Sequence, residues 1–394
     1  MTMPPTSADP AAAPVLRRIG WLHFANDATL DFLTPLLPAG VPVAWIGVME
    51  GLADGIGQVL KLVTGRASDR SGRRAAWVAT GYLVNAWARP LTAVGMCFFW
   101  PLWIVGCRII DRVGKGLRGS ATDALVADWS AGPDRAAAFA WMRTMDHLGA
   151  TVGGLAAALA AWWLPPERLW MAVAGLAVVA AWVAWLSRGL RDRAADAAAA
   201  PAAAPAGWWP RSPELRRPLL AIAVASIAAK LSPLLILVHV AGVEDPSRAW
   251  PLWLMCLGWA GFGLIQAMAS GVAGMIAKRL GNLVVLRAGW AFGAVGCVGL
   301  ALVSGPLLLV VGVAFAILAG LTEGAEKAWL ADHAPKSERA IAFGALALVT
   351  AAAGLIGNGV VGLLLATVGP IGFLGLAGAG LLGVVLTWAA PARN

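Results

Sequence analysis

The sequence predicts an all-α integral membrane protein whose twelve transmembrane helices form two six-helix bundles, with both termini cytoplasmic. Three observations predict it. Hydrophobic residues make up 59% of the 394 residues and charged residues only 13%, with mean hydropathy +0.74, whereas soluble domains carry about 25% charged residues. Apolar stretches of about 20 residues, the length that a ~30 Å hydrocarbon core requires, recur along the whole chain. A segment of the first half returns in the second.

Residues 1–17 begin MTMPPTSADPAAAP, which is polar and rich in Pro and Ala. They lack the apolar core of a secretory signal and predict a disordered cytoplasmic tail. Spans are expected at 18–40, 43–63, 75–95, 97–117, 137–163, 168–187, 218–241, 250–275, 283–303, 306–331, 339–367 and 370–390. Each must be helical, because lipid offers no partners to open backbone groups. Residues 188–217 hold AADAAAAPAAAPAG between Arg clusters and predict a flexible cytoplasmic linker. The bundles are then 18–187 and 218–390.

Loop charge orients this arrangement. The segments expected inside all carry Lys or Arg, from Arg17 and Arg18 to Arg393, whereas the expected outside loops hold only Arg168 and Arg248. Such asymmetry places basic loops in the cytoplasm. It also accounts for the net charge of +9 without nucleic acid. Trp21, Trp45, Trp77, Trp100, Trp103, Trp162, Trp163, Trp250 and Trp253 fall near span ends, where amphipathic rings anchor. Cys97, Cys107, Cys256 and Cys297 show no paired spacing, so neither a disulfide framework nor a zinc site is expected.

GLRGSATDALVADWSAGPDRAAAF (116–139) aligns without gaps on GLTEGAEKAWLADHAPKSERAIAF (320–343). GRASDRSGRR (65–74) is echoed by GMIAKRLGNL (274–283), each between the second and third span of its half. Six spans separate the copies, so their orientation is the same. Parallel repeats about the membrane normal are a known transporter plan.

These residues resemble the major facilitator superfamily. GRASDRSGRR looks like its loop motif of Gly, Asp-Arg, then Gly with two basic residues. The resemblance is closest to a bacterial branch with DRxGKGxR leading into DALxAD, here DRVGKGLRGSATDALVAD (111–128), and with NDxxxE and PLLP in span 1, here NDATLDFLTPLLP (26–38). It implies that spans 1, 4, 7 and 10 line a central cavity, with spans 2, 5, 8 and 11 beside them.

Charges inside spans are expensive to bury and point to function or pairing. In span 1, His23, Asp27 and Asp31 fall on one helical side, with Asn26 beside them. In span 2, Glu50, Asp54, Gln58 and Lys61 share a face; span 3 brings Arg89, span 5 Arg143, Asp146 and His147, span 7 Lys230, and span 10 Glu323, Glu326 and Lys327. Asn26, Asp27, Asp31, Glu50, Asp54, Arg89, Arg143, Asp146, His147, Lys230, Glu323, Glu326 and Lys327 are therefore the expected residues of a proton-coupling and substrate cavity. Burial disfavours the charged form of a carboxylate, which lets such a group exchange protons, and His147 can join the relay. The bland alternative is fixed pairing within helices, Asp146 with Arg143, Lys327 with Glu323 and Lys61 with a span 2 carboxylate. Span 1 holds no cation that could pair with Asp27. Lys230, Arg89 and Arg143 could also hold an anion.

The loop after span 2 predicts a gate. Gly65 and Gly72 permit tight turns, and Arg66, Arg70, Arg73 and Arg74 hold the loop at the cytoplasmic face. Asp69 is expected at a helix N-terminus. Arg112, Lys115 and Arg118 are expected to pair with Asp69 or Asp128, with Asp123 nearby. Gly149 and Gly153 form a GxxxG pattern, and Gly354 precedes Gly357-Asn358-Gly359; both are expected between the two halves.

No Walker A sequence, HExxH or GxSxG is present, which argues against direct use of ATP and against an enzyme. The expected function is a secondary active transporter of the cytoplasmic (inner) membrane that moves a small solute by alternating access, coupled to protons. The alternatives are an uncoupled facilitator and a non-transporting scaffold or sensor. Cofactors and metals are not expected; the expected partners are a small-molecule substrate, protons and membrane lipid, for a monomer that binds no nucleic acid.

Overall fold

The computed structural model describes residues 12–130, 134–193, 209–210, 212–243, 249–305, 307–333 and 339–388, with some side chains inside the helices left undescribed. The described residues are helical almost throughout. The helices are α1 (Ala12–Leu33), α2 (Val43–Ser71), α3 (Arg74–Cys97), α4 (Pro101–Trp129), α5 (Asp134–Trp163), α6 (Leu169–Ser187), α7 (Arg216–Ala229), α8 (Pro233–Val240), α9 (Leu252–Leu280), α10 (Asn282–Leu302), α11 (Leu307–His333), α12 (Arg339–Thr367) and α13 (Phe373–Trp388).

Seven helical stretches are long and apolar enough to cross a membrane by length and composition: 43–68, 166–187, 213–240 (α7 and α8 together), 252–269, 282–302, 342–367 and 369–388. The protein is therefore a multi-pass membrane protein. Helices α3 and α4 do not reach that composition, and they carry the buried Arg89, Arg108, Asp111 and Arg112.

Several boundaries differ from the sequence expectation, among them the end of α2, which runs to Ser71 and not 63. Helix α1 starts at Ala12, and Ala12, Val15 and Leu16, expected in a tail, are buried. Helix α4 continues past 117 to Trp129, so Arg112, Lys115 and Arg118, expected at the end of the span, lie well within the helix. The seventh expected span is broken at Lys230–Ser232, where Pro233 cannot donate a backbone N–H and starts a new helix.

The chain divides into two compact units. Unit 1 holds residues 1–41, 56–204 and 252–260; unit 2 holds 42–55, 205–251 and 261–394. The unit 1 core joins Leu16, Ile19 and Leu22 of α1 to Val78 and Tyr82 of α3, Leu125 of α4, Met142 of α5 and Val183 of α6. The unit 2 core joins Leu219 and Ile222 of α7 to Leu286 and Trp290 of α10, Trp329 of α11 and Ala345 of α12.

Close helix approach in each unit depends on a glycine. A Cβ at Gly153 of α5 would strike the Ala28 carbonyl of α1, and one at Gly357 of α12 would strike the Ile227 carbonyl of α7. Gly357 stands 204 positions after Gly153, as Gly320 does after Gly116, so the contact repeats with the sequence. Gly149 likewise seats the Phe24 carbonyl. These glycines, expected between the halves, pack helices inside each unit.

Candidate functional site

The polar interior of unit 1 is built around Arg89. Its helix α3 packs on α1 and α4, and Tyr82, Asn85 and Arg89 occupy one face at helical spacing. Arg89 Nε donates to Asp111 Oδ1 at 2.8 Å, and Nη2 lies 2.8 Å from the same oxygen. Nη1 donates to the backbone carbonyl of Asn26 and, at 2.6 Å, to Thr29 Oγ1, while Nη2 donates to Asn26 Oδ1 at 3.0 Å. Asn85 Nδ2 donates to Asp111 Oδ1 at 2.9 Å and to the Asp111 carbonyl. Arg108 Nη1 lies 3.8 Å from the other Asp111 oxygen. The guanidinium fork suits such multiple recognition. Arg89 is thus held by Asp111 and by α1.

The bonds to Arg89 fix the Asn26 side chain. Its oxygen accepts from Arg89, so its amide nitrogen points onward and donates to Asp27 Oδ1 at 2.6 Å. Among the described residues, Asp27 forms no ion pair. One turn along, Asp31 Oδ1 accepts from Trp259 Nε1 at 2.7 Å, where α9 contributes to unit 1.

Asp146 meets His23, with Oδ1 and Nδ1 at 2.6 Å and both side chains about 15% exposed. The cross-helix pair joins α5 to α1; the pairing with Arg143 expected within α5 falls on a side chain outside the described residues. His147 is exposed and does not share this site, so the histidine beside the carboxylates is His23. The Tyr82 ring lies 6.1 Å from the His23 ring, and the Arg118 guanidinium sits 4.4 Å from the Tyr82 ring centre. Arg118 Nε also donates to Asn85 Oδ1 at 3.1 Å. Arg118 therefore belongs to this interior cluster and not to the gate. A groove of about 220 Å³ between α1, α5 and α6, lined by Phe24, Phe32, Val152, Ala156 and Trp182 among others, is apolar and holds none of these charges.

The expected gate is rearranged. Asp128 accepts from Arg74 Nη1 at 2.5 Å, not from the bases of α4, and Arg193 Nη1 donates to the Asp128 carbonyl at 2.7 Å. Asp192 accepts from the Ala75 N–H at 2.7 Å and caps α3, whose own N-cap residue Arg73 supplies no side-chain acceptor. Of the two glycines expected to turn the gate loop, Gly72 has a left-handed backbone, with φ +62°, whereas Gly65 is helical and faces Ser120 of α4. Arg112 is buried, Lys115 is exposed, and Asp123 is exposed with an oxygen 4.0 Å from Lys61 Nζ. Lys61 therefore faces α4 and not a carboxylate of its own helix.

In unit 2, Lys230 Nζ lies 2.9 Å from Glu326 Oε2 of α11. Asn358 of α12 bridges the helix break beside it: Oδ1 accepts the Ser232 N–H at 2.6 Å, and Nδ2 donates to the Lys230 carbonyl at 3.1 Å and the Gly354 carbonyl at 2.9 Å. Glu50 is buried and Asp54 half-buried, on the part of α2 that falls in unit 2. The side chains of Asp69, Arg70, Arg143, Glu323 and Lys327 lie outside the described residues. Sequence reasoning placed His23 on the stripe with Asp27 and Asp31 but did not single out Tyr82, Asn85, Arg108, Asp111, Asp192 or the side chain of Asn358; for most of them the signal available was a polar residue inside an apolar span.

A family model described as Major Facilitator Superfamily matches residues 22–261. An uncharacterized protein of Mycobacterium tuberculosis is 33% identical over 126 residues, 32% of this chain and 30% of that relative. An uncharacterized MFS-type transporter of Methanocaldococcus jannaschii is 29% identical over 140 residues, 34% of each chain. The chain thus spans about a third of the length of these curated relatives. A solved structure of the nucleoside transporter NupG is similar over 96% of this chain and 100% of that one, with a TM-score of 0.76 and 14% identity, a likeness of fold.

Proposed function

Because this chain belongs to the Major Facilitator Superfamily, and is a transporter and not an enzyme, we propose that it is a proton-coupled secondary carrier that moves a small solute across the cytoplasmic membrane by alternating access. In this proposal the chain crosses the membrane twelve times with both termini inside. Residues 18–187 and 218–390 form its two moving bundles, and 188–217 link them. The protein works as a monomer.

Asp27 carries the proposal. Arg89 and Asp111 neutralise each other, and Asp146 has His23, yet Asp27 accepts a single neutral hydrogen bond from Asn26 and has no ion-pair partner among the described residues. A carboxylate inside a membrane helix that is held but not neutralised is suited to load and release a proton. His23, Asp146 and Asp31 are the neighbours that share or pass it on. The cluster of Arg74, Asp128, Asp192 and Arg193 acts as the cytoplasmic latch of the cycle.

The test has two stages. A solute panel screened by thermal shift identifies ligands, since a ligand stabilises by RT ln(1 + [L]/Kd). An imposed pH gradient then drives flux of the hits in proteoliposomes. Asp27→Asn is expected to keep the Tm and lose gradient-driven flux. Unchanged gradient-driven flux in that variant would remove Asp27 from coupling, and solute flux without proton movement in the wild type would make the protein a facilitator.

A further inference from the structure

We propose that the helix break at Lys230–Ser232 binds the anionic group of the transported solute, a carboxylate or phosphate, with Lys230 as its ligand and Glu326 as the group it displaces. The inference rests on the carrier function proposed above and names its substrate class.

Three observations support it. First, the break is a built feature. Residues 230–232 leave the helix, and Asn358 takes up the Lys230 carbonyl and the Ser232 N–H that the break would otherwise orphan. The Ser232 hydroxyl accepts the Leu234 N–H at 3.2 Å. An unwound stretch inside a membrane protein persists only where such partners exist. Its two sides differ electrically: α7 ends with its partial negative pole and α8 begins with its partial positive one. Lys230 stands between them.

Second, the Lys230–Glu326 pair is lopsided. The Lys230 side chain is 29% exposed and that of Glu326 only 3%. Lys230 is the accessible member of the pair and Glu326 the buried one. Third, Glu326 is only half satisfied. Oε2 takes Lys230, while Oε1 is buried with no hydrogen-bond partner among the described residues. An incoming anion therefore competes with Glu326 for one ammonium.

Once displaced, an ionised Glu326 would be a buried charge without a partner, which is strongly unfavourable. It takes a proton from water instead, the carboxylate becoming the neutral acid, and Oε1 offers the vacant position. One proton enters for each anion bound. Among the described residues, the elements packed against α11 also carry Arg287 of α10, whose Nε donates to Thr387 of α13 at 2.8 Å, His239 of α8, whose Nε2 lies 3.0 Å from the Leu300 carbonyl, Arg216 and Arg217 at the start of α7, and Glu214 just before it. Helix α12 contributes the neutral amide of Asn358.

The full chain, purified in detergent, is tested by thermal shift with benzoate, succinate and inorganic phosphate against choline, putrescine and glucose, at pH 6 and pH 8. At least one anion is expected to stabilise the protein, with affinity between about tenfold and about 100-fold higher at pH 6, since one proton contributes at most about tenfold per pH unit. Glu326→Gln should keep the anion shift and lose its pH dependence. Lys230→Arg should retain binding, and the Lys230→Met/Glu326→Gln double variant, which removes both charges of the pair together, should lose it. An unchanged anion shift in the double variant overturns the proposal. So does stabilisation by the cations or glucose alone, the absence of a shift with any anion, or a pH dependence that persists in Glu326→Gln. Gradient-driven flux that is lost in Asp27→Asn and intact in the double variant would overturn this site and leave the carrier function standing.

Discussion

Unit 1 and unit 2 each place a basic side chain inside a membrane helix bundle, and they treat it in opposite ways. Arg89 is 2% exposed, every nitrogen of its guanidinium has a partner, and those partners lie on α1 and α4. Lys230 is 29% exposed and sits where its helix is broken, against a glutamate with one oxygen unmet. Arg is a planar fork that keeps its proton and ties several acceptors at once, whereas Lys is a compact point charge on a flexible stem. The first arrangement is a fixed strut, and the second can exchange partners.

The comparison extends to corresponding positions. Gly153 seats the Ala28 carbonyl and Gly357 the Ile227 carbonyl. Asp31 lies three residues beyond Ala28, and Lys230 lies three beyond Ile227. The repeated frame thus carries a carboxylate at this place in one unit and an ammonium in the other.

The largest expected effect tests the strut. Asp111→Ala should destabilise the protein by about 3–5 kcal/mol, because it orphans a buried Arg, as measured by denaturation in detergent. A loss no greater for Asp111→Ala than for Lys230→Ala would break the contrast between the two units. Next, Asn358→Leu removes the partners of two backbone groups at the helix break, and each orphaned group should cost about 1–3 kcal/mol. Circular dichroism with a stability curve would reveal this, and a neutral result would mean that the break needs no bracing. Gly153→Leu and Gly357→Leu should each cost about 1–3 kcal/mol by overpacking. Similar losses would show that the units share their frame and differ only in their charges; a loss at one site alone would deny it.

Smaller effects are expected at the surface. Arg74→Ala removes a half-buried pair with Asp128 and should cost at most about 1 kcal/mol, with its main consequence in the transport rate. Lys61→Ala should change stability by less than about 0.5 kcal/mol, since Lys61 and Asp123 are 45% and 64% exposed at 4.0 Å. A larger loss at Lys61 would identify a third buried charge system.

The helices themselves were readable because lipid enforces a simple rule: an apolar run of about 20 residues must be helical. Starts such as Arg74 and ends such as Thr367 fall within a residue or so of expectation. Helix α4 was not readable at its end, because a helix continues past the apolar segment wherever its backbone is satisfied and tertiary packing supports it, and Gly116 and Gly119 of α4 rest against Leu60 and Lys61 of α2. The site was readable as a set of costly charges and not as a set of pairs. Intrahelical spacing suggested Lys61 with a carboxylate of its own helix, yet Lys61 met Asp123 of α4, and it gave no sign that Asp146 meets His23 of α1. Spacing along one helix reports which residues share a side, and it carries no information about the helix that faces them.

The amino-acid sequence by itself determined that this chain is a membrane protein, that its halves repeat, and which spans bear charge, since hydropathy, self-similarity and residue type are properties of the chain alone. Only the tertiary structure decided that Arg89 is bound, that Asp27 is held without an ion-pair partner among the described residues, and that the seventh span is broken beside Lys230 and braced by Asn358. Partner choice depends on distances between helices far apart in sequence, and these are set by packing.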